Sequence, residues 1–307
     1  MNDTIVADGV VKSFGDVKAL NNLSFTVNEG DMYGFIGPDG TGKTTFMRIA
    51  TCLSSPDLGC VTVGGHDIRK DSGAIRRIVG YMPQHFSQYA DLTVGENLSF
   101  FADLFGVSGS DRKRRMERLL DFSRLGPFIK RRAGALSGGM KRKLALSCTL
   151  IHRPTVLLLD EPTTGVDPVS RREFWSILDE VKHDGTTILV STPYMDEAAR
   201  CDRVGFIMNG RLIREGTPGG LPDTFADDIL SVRAPDIARR TRKLDFPEHV
   251  REVMVFGDRL HLIVENAASA EPVVRKFLAG QGFHSPIIEQ VPPSMEDLFL
   301  ESIANAD

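Results

Sequence analysis

Cysteine is scarce in this 307-residue chain, and the four present (Cys52, Cys60, Cys148 and Cys201) form no short pair. Neither a zinc site nor a disulfide framework is therefore expected, which fits a reducing compartment. Long apolar runs are missing as well. Stretches such as Val156-Leu157-Leu158-Leu159 last a few residues, against the roughly 20 that span a bilayer. Any membrane role has to come through a partner. No sign of charge dominates: 37 Lys and Arg against 41 Asp and Glu leave −4, so the overall basic surface of a nucleic-acid binder is absent and no nucleic acid is expected as partner. The opening Met1-Asn2-Asp3-Thr4 lacks a basic segment followed by an apolar one, so no signal peptide is expected.

What is present is an ordinary core-forming composition, 41% apolar and 25% charged, in a chain long enough for one large and one smaller domain. Short β-branched or apolar runs at 5–11, 23–27, 32–36, 60–63, 78–82, 156–159, 187–191, 204–208 and 211–214 alternate with helical patterns. That alternation reads as α/β with a mostly parallel sheet. Between about 86 and 153 the strand signal gives way to helical segments at 94–105, 112–122 and 138–152, as though a helical subdomain were inserted. The turn-rich Gly216-Thr217-Pro218-Gly219-Gly220 ends this region. Beyond it, segments at 228–232, 237–243, 252–256, 260–265, 271–278 and 286–290 read β-α-β-β-α-β, a small split-βαβ pattern.

The strongest chemical signal is Gly37-Pro38-Asp39-Gly40-Thr41-Gly42-Lys43-Thr44, set between an apolar strand and a helix-favouring stretch. That order is what a triphosphate cradle needs. Gly37, Gly40 and Gly42 let the backbone turn and bring its N–H groups to phosphate oxygens. A helix starting near Thr44 adds its positive end. Lys43 can reach the β- and γ-phosphates and the Thr44 hydroxyl can ligate Mg²⁺. The second signal is Val156-Leu157-Leu158-Leu159-Asp160-Glu161-Pro162. An all-apolar run suits a central strand buried on both faces, ending in two acids where ligands of open α/β sheets bind. Successive residues point to opposite sides, so Asp160 can hold Mg²⁺ while Glu161 acts as general base on water. Alone, two acids at a strand end would read as solvated charge; beside a phosphate loop they do not.

The third signal, Leu136-Ser137-Gly138-Gly139-Met140, completes a pattern that resembles the ATP-binding cassette of ABC transporters over residues 4–218. The resemblance implies a P-loop cassette with an inserted helical subdomain over residues 1–220, followed by a small α+β domain over 228–307. It implies that ATP and Mg²⁺ lie between the 37–45 loop of one cassette, Thr45 included, and Ser137, Gly138 and Gly139 of a second. The family usually has Gln where this chain has Met140. Phe14 matches the aromatic that stacks on adenine, with a core phenylalanine as the competing reading. Gln84 matches the glutamine that touches Mg²⁺ and the attacking water, so Lys43, Gln84 and Glu161 form the catalytic set, and Thr44, Gln84 and Asp160 the metal set. Thr164-Gly165-Val166-Asp167 matches the loop that crosses the dimer interface, although Asp167 also stands where it would cap the helix after Pro168. Pro193 occupies the position of a histidine that senses the γ-phosphate; proline has no donor, so slow hydrolysis is expected. Pro293-Ser294-Met295-Glu296-Asp297-Leu298-Phe299 is similar to the C-terminal motif of daunorubicin-resistance-like exporters.

The resemblance thus implies an export ATPase, cytoplasmic and peripheral on the membrane through a permease subunit. Two other readings stay open: a soluble ABC ATPase acting on ribosome or DNA complexes, and a regulatory cassette that hydrolyses weakly.

Overall fold

Two burial patterns in the first 220 residues decide the layering seen in a computed structural model, which describes residues 3–241, 244–283 and 285–304. β1 (Asp3–Phe14) and β2 (Val17–Asn28) alternate buried with exposed positions, whereas β3 (Met32–Ile36) is buried at every residue. Alternation suits a sheet with one solvated face, and continuous burial suits a sheet covered on both. β4 (Leu58–Val63) and β5 (His66–Asp67) join the alternating set, giving an antiparallel sheet in the order β2-β1-β4-β5. The single mostly parallel sheet expected from sequence is therefore two sheets.

The second sheet holds β6 (Val79–Met82), β7 (Val156–Asp160), β8 (Thr187–Thr192), β9 (Arg203–Met208) and β10 (Arg211–Gly216), in the order β10-β9-β3-β8-β7-β6. From β9 to β6 every pairing is parallel. The register sets Ile36 opposite Thr192 and Asp160 opposite Ser191. Three strand carboxyl ends thus reach one rim. Between the sheets, Phe25, Tyr33, Phe35 and Phe46 pack ring against ring with centroids 4.6–5.8 Å apart. Each such burial is worth about 1.5–3 kcal/mol.

The helical stretch consists of Val94–Leu104, Gly109–Phe122 and Gly138–Leu150 with short turns between. It has its own core of Val94, Leu98, Leu120, Leu125, Leu136, Leu144 and Cys148. The strand expected from 78 starts at Val79, because the helix Ser72–Ile78 runs directly into it.

The chain divides into two compact units, Met1–Glu215 and Gly216–Asp307. The second contains β11 (Asp228–Arg233), β12 (Val250–Phe256), β13 (Arg259–Val264) and β14 (Ile287–Val291), all antiparallel in the order β12-β13-β11-β14. The helix Ala267–Gly280 supplies Ala270, Val274 and Leu278 to its core. The helix expected over 237–243 runs Ile237–Arg240, and Lys243 lies outside the described residues. Ser294 and Asp297 form a reciprocal cap at the helix Met295–Ala304: Asp297 N–H donates to Ser294 Oγ at 3.2 Å, and Ser294 N–H to Asp297 Oδ2 at 2.9 Å.

Candidate nucleotide site

The loop after β3 owes its shape to glycines that nothing else can replace. A Cβ on Gly37 would stand 2.5 Å from the Ile207 carbonyl, and one on Gly42 would stand 2.3 Å from that of Ala19. Gly42 also holds φ +103°, in the left-handed region open to glycine. It is the N-cap of the helix Lys43–Ala50, which starts one residue before the expected Thr44. That helix has neither a capping side chain nor an acid in its first turn. Its leading N–H groups and positive dipole end are therefore left for an anion. Lys43, 3% exposed, donates to the carbonyls of Gly37 and Pro38 at 2.7 and 2.8 Å. Thr41 Oγ1 closes the turn by donating to Pro38 O at 2.9 Å.

Opposite stands Glu161, 6% exposed and at φ +45°, an uncommon conformation for a residue with a Cβ. Its N–H donates to Ser191 Oγ at 2.9 Å, and the same hydroxyl donates to Asp160 Oδ1 at 2.8 Å. One side chain of β8 thereby fixes both acids. Gln84 Nε2 and Thr164 Oγ1 donate to Glu161 Oε2 at 2.8 and 3.3 Å, while Glu161 Oε1 faces Lys43 Nζ at 3.5 Å. Behind them, Arg142 donates to the backbone carbonyls of Gln84 at 2.6 Å and Thr164 at 3.4 Å.

These groups surround a cavity of about 240 Å³ lined by Asp39, Gly40, Gly42, Lys43, Thr44, Thr45, Gln84 and Glu161. Gly37, Pro38 and Thr41 form the base of the loop rather than the wall. Asp160, 1% exposed, is not part of this lining, and its Oδ2 is buried without a hydrogen-bond partner among the described residues. An orphaned carboxylate oxygen and the Thr44 hydroxyl are hard oxygen donors of the type Mg²⁺ takes. Among the described residues no cluster of three or more His, Cys, Asp or Glu could hold a metal; an ion bound mainly by phosphates and water needs none.

Phe14, Ser137, Gly138 and Gly139, also expected at the site, do not line this cavity either. Phe14 is 56% exposed, with Lys12 Nζ 5.4 Å from its ring centre, so the core reading of this side chain does not hold. Ser137 caps the helix Gly138–Leu150, its Oγ accepting from Met140 N–H at 3.3 Å. Gly138 is exposed, and Gly139 is buried so tightly that a Cβ would stand 2.4 Å from Ser170 Oγ. Asp167 caps the helix Pro168–His183 by accepting from Val169 and Ser170 N–H at 3.1 and 2.9 Å.

Sequence reasoning passed over Arg142, hidden in a Lys-Arg-Lys run, and Ser191, an unremarkable strand-end serine. It also passed over Glu197, which lies beside the Pro193 segment. Glu197 is 2% exposed and accepts from Thr163 Oγ1, from Thr192 Oγ1 at 2.6 Å and from Arg171 Nε at 3.1 Å. Pro193 itself is exposed.

Residues 20–164 match a sequence family described as ABC transporter. The Nod factor export ATP-binding protein I of Burkholderia lata is 37% identical over 294 residues, covering 95% of this chain and 94% of that protein. The chain belongs to the ATP-binding subunits of ABC transporters. The cassette is also similar to the probable multidrug ABC transporter ATP-binding protein YbhF of Escherichia coli, 42% identical over 312 residues and 100% of this chain. It spans only about half of that relative's length, 53%. Among solved structures, an ATP-binding subunit of an ABC transporter superposes with TM-score 0.67 at 28% identity, over 72% of this chain and 93% of that one. A dimeric ATP-binding cassette in a post-hydrolysis state, bound to ADP and Pi, superposes with TM-score 0.63 at 27% identity, over 69% and 98%. The fold is therefore that of an ABC ATPase cassette. No helix among the described residues is long and apolar enough to cross a membrane.

Proposed function

We propose that this cassette hydrolyses ATP to drive an exporter, working through a separate membrane permease on whose cytoplasmic face it sits. The observation that carries the hydrolytic reading is the Glu161 carboxylate, aimed at the phosphate-loop cavity and held there by Gln84, Thr164 and Lys43. Export is supported by the relatives' names, Nod factor export and multidrug transport.

The loop 37–45 takes the triphosphate, its backbone N–H groups and the Lys43 ammonium meeting the β- and γ-oxygens. Lys43 exchanges two carbonyl partners for phosphate oxygens, a charge-assisted and therefore stronger bond. Thr44 and Asp160, with Gln84, would hold Mg²⁺, which neutralises charge on the phosphates when bound. Glu161 accepts a proton from the attacking water, the new P–O bond forms at the γ-phosphorus, and the bond to the β–γ bridging oxygen breaks to release ADP. Gln84 orients that water. Phe14, exposed outside the cavity, is free to stack on adenine.

Ser137, Gly138 and Gly139 line no wall of their own chain's cavity, which supports a role in trans: the helix N-terminus at Ser137 meets the γ-phosphate held by a second cassette. One observation favours a second reading, a regulatory cassette that hydrolyses weakly, because Pro193 can neither donate nor accept through its side chain.

The test is steady-state hydrolysis by the full chain with and without its co-expressed membrane partner. Phosphate release that the partner stimulates and Glu161→Gln abolishes is the expected result. ATP binding with no release under either condition leaves the regulatory reading standing, and co-purification with ribosomes or DNA instead of a membrane protein overturns the transport assignment.

A further inference from the structure

The run Lys141-Arg142-Lys143 on the helix Gly138–Leu150 reads as solvated charge, but its three cations do different things. Lys141 Nζ lies 5.7 Å from the centre of the Phe86 ring, and Lys143 pairs with Glu173 at 2.8 Å. Arg142 alone turns toward the nucleotide site, and no carboxylate pairs with it among the described residues. Instead its two terminal nitrogens donate to backbone carbonyls of two separate loops, Nη1 to Gln84 O at 2.6 Å and Nη2 to Thr164 O at 3.4 Å. Those residues are also the two whose side chains donate to Glu161 Oε2.

We infer that Arg142 is a positioning residue for the hydrolytic step: its guanidinium ties the Gln84 and Thr164 backbones together so that both side chains stay on one oxygen of Glu161. The inference rests on the hydrolytic reading proposed above. Three physical points support it. A guanidinium is a planar fork whose donors sit at a fixed spacing and direction, so it holds the carbonyls of two separate loops at a set separation, which the compact point charge of an ammonium does not fix. Burial disfavours the charge on Arg142, and the nearby Glu161 carboxylate favours it; the group stays where its charge is attracted by the carboxylate it orients. Finally, Gln84 and Thr164 stand on loops separated by 80 positions in the chain (164 − 84). Among the described residues, Arg142 is the side chain other than Glu161 that bonds to both.

Loss of the strap should leave nucleotide binding alone, because Arg142 touches no residue of the phosphate loop. It should lower turnover, because misplacing a general base by about 1 Å costs roughly a hundredfold. The experiment is MgATP hydrolysis by the full chain as wild type, Arg142→Ala and Arg142→Lys. The two Arg142 substitutions are then repeated in a Gln84→Ala/Thr164→Val background. We expect Arg142→Ala to lower kcat by at least about tenfold with KM changed less than about twofold. Arg142→Lys, which preserves the stem and charge and guards against a folding defect, should recover less than half of that loss. In the doubly substituted background Arg142→Ala should cost under about twofold, since the groups through which it acts are gone. Added methylguanidine should restore part of the Arg142→Ala rate. An equal loss in both backgrounds, full activity in Arg142→Lys, or an unchanged kcat in Arg142→Ala overturns the inference while the hydrolytic reading survives. No hydrolysis by the wild type overturns both.

Discussion

Replacing Lys43 by alanine removes a cation that is 3% exposed and stands 3.5 Å from the similarly buried carboxylate of Glu161. Two unit charges at that separation attract by about 5 kcal/mol at an effective dielectric near 20. Desolvation offsets much of this in the intact pair. Taking away one partner, however, strands the other, at a cost of about 3–5 kcal/mol. Gln84 and Thr164 still donate to Glu161 in the variant, so the lower end, about 3 kcal/mol, is expected. For a unit of this size that is a fall in melting temperature of about 6–12 °C. Glu161→Gln is milder, about 1 kcal/mol, because Lys43 retains the Gly37 and Pro38 carbonyls. The double variant should be more stable than the sum of the singles by at least about 1 kcal/mol.

Nucleotide supplies the second half of the test. At a ligand concentration about 100 times Kd the wild type gains about 2.7 kcal/mol, whereas Lys43→Ala gains nothing measurable. Thermal melts with and without MgATP, backed by calorimetry, read both effects. An Lys43→Ala protein that melts with the wild type and is still stabilised by MgATP would refute the buried pair and the phosphate-loop assignment together.

Three further outcomes follow from the same geometry. Glu161→Gln keeps the side chain's shape and removes its proton acceptor, so MgATP should trap a two-cassette species by size exclusion; a monomer under those conditions, with the membrane partner present, removes the basis for Ser137 and Gly139 acting in trans. Pro193→His should raise single-turnover hydrolysis by about tenfold or more, and a wild-type rate of about 1 s⁻¹ or above that the histidine leaves unchanged sinks the idea of an impaired site. In the second unit, burial pushes the Asp297 carboxyl up, but hydrogen bonds from His261 and Ser294 outweigh it and hold the group below the usual carboxylate range. A depressed pKa stabilises at pH values above the unfolded value and ceases to as pH falls through the folded one. Asp297→Asn should therefore destabilise that unit by about 1–2 kcal/mol near neutrality; denaturant melts should show the gap closing as the pH falls through and below the usual carboxylate range, and a pH-independent gap counts against the ionised-carboxylate reading.

The parts of the site that were legible in the sequence are those whose cause is local. Gly37, Gly40 and Gly42 announce a loop because their backbone angles or missing Cβ atoms are required within a few residues of one another. The run ending at Asp160 announces a central strand because all five of its residues are buried. What depends on register was not legible. That β1, β2 and β4 form their own antiparallel sheet is obscured by bulges and by the left-handed Gly9 and Asn22, which break the alternation. Ser191 reaches both acids only because β8 pairs with β7 one strand over. Glu197 looks like a surface acid beside Asp196, yet it is buried, bonded to Thr192 at the end of β8 and to Thr163 and Arg171 from elsewhere in the chain.

Glu161 is where these layers meet. A residue with a Cβ at φ +45° carries strain of about 1–3 kcal/mol and persists only where its surroundings over-determine it. Here they do. Ser191 fixes the N–H and Pro162 follows, so the chain turns out of β7 at that point. The carboxylate then meets three side chains that converge from β6's outgoing loop, the segment after the strand, and the phosphate-loop helix. The carboxylate proposed as general base is thus held in place by residues of one chain alone. The γ-phosphate contacts proposed for Ser137 and Gly139 are different, since neither residue reaches the cavity of its own chain. On the proposed reading, control over hydrolysis falls on the approach of a second cassette. Substitutions within the Glu161 network should change the rate inside the closed state, and those at Ser137 or Gly139 should change how often that state forms.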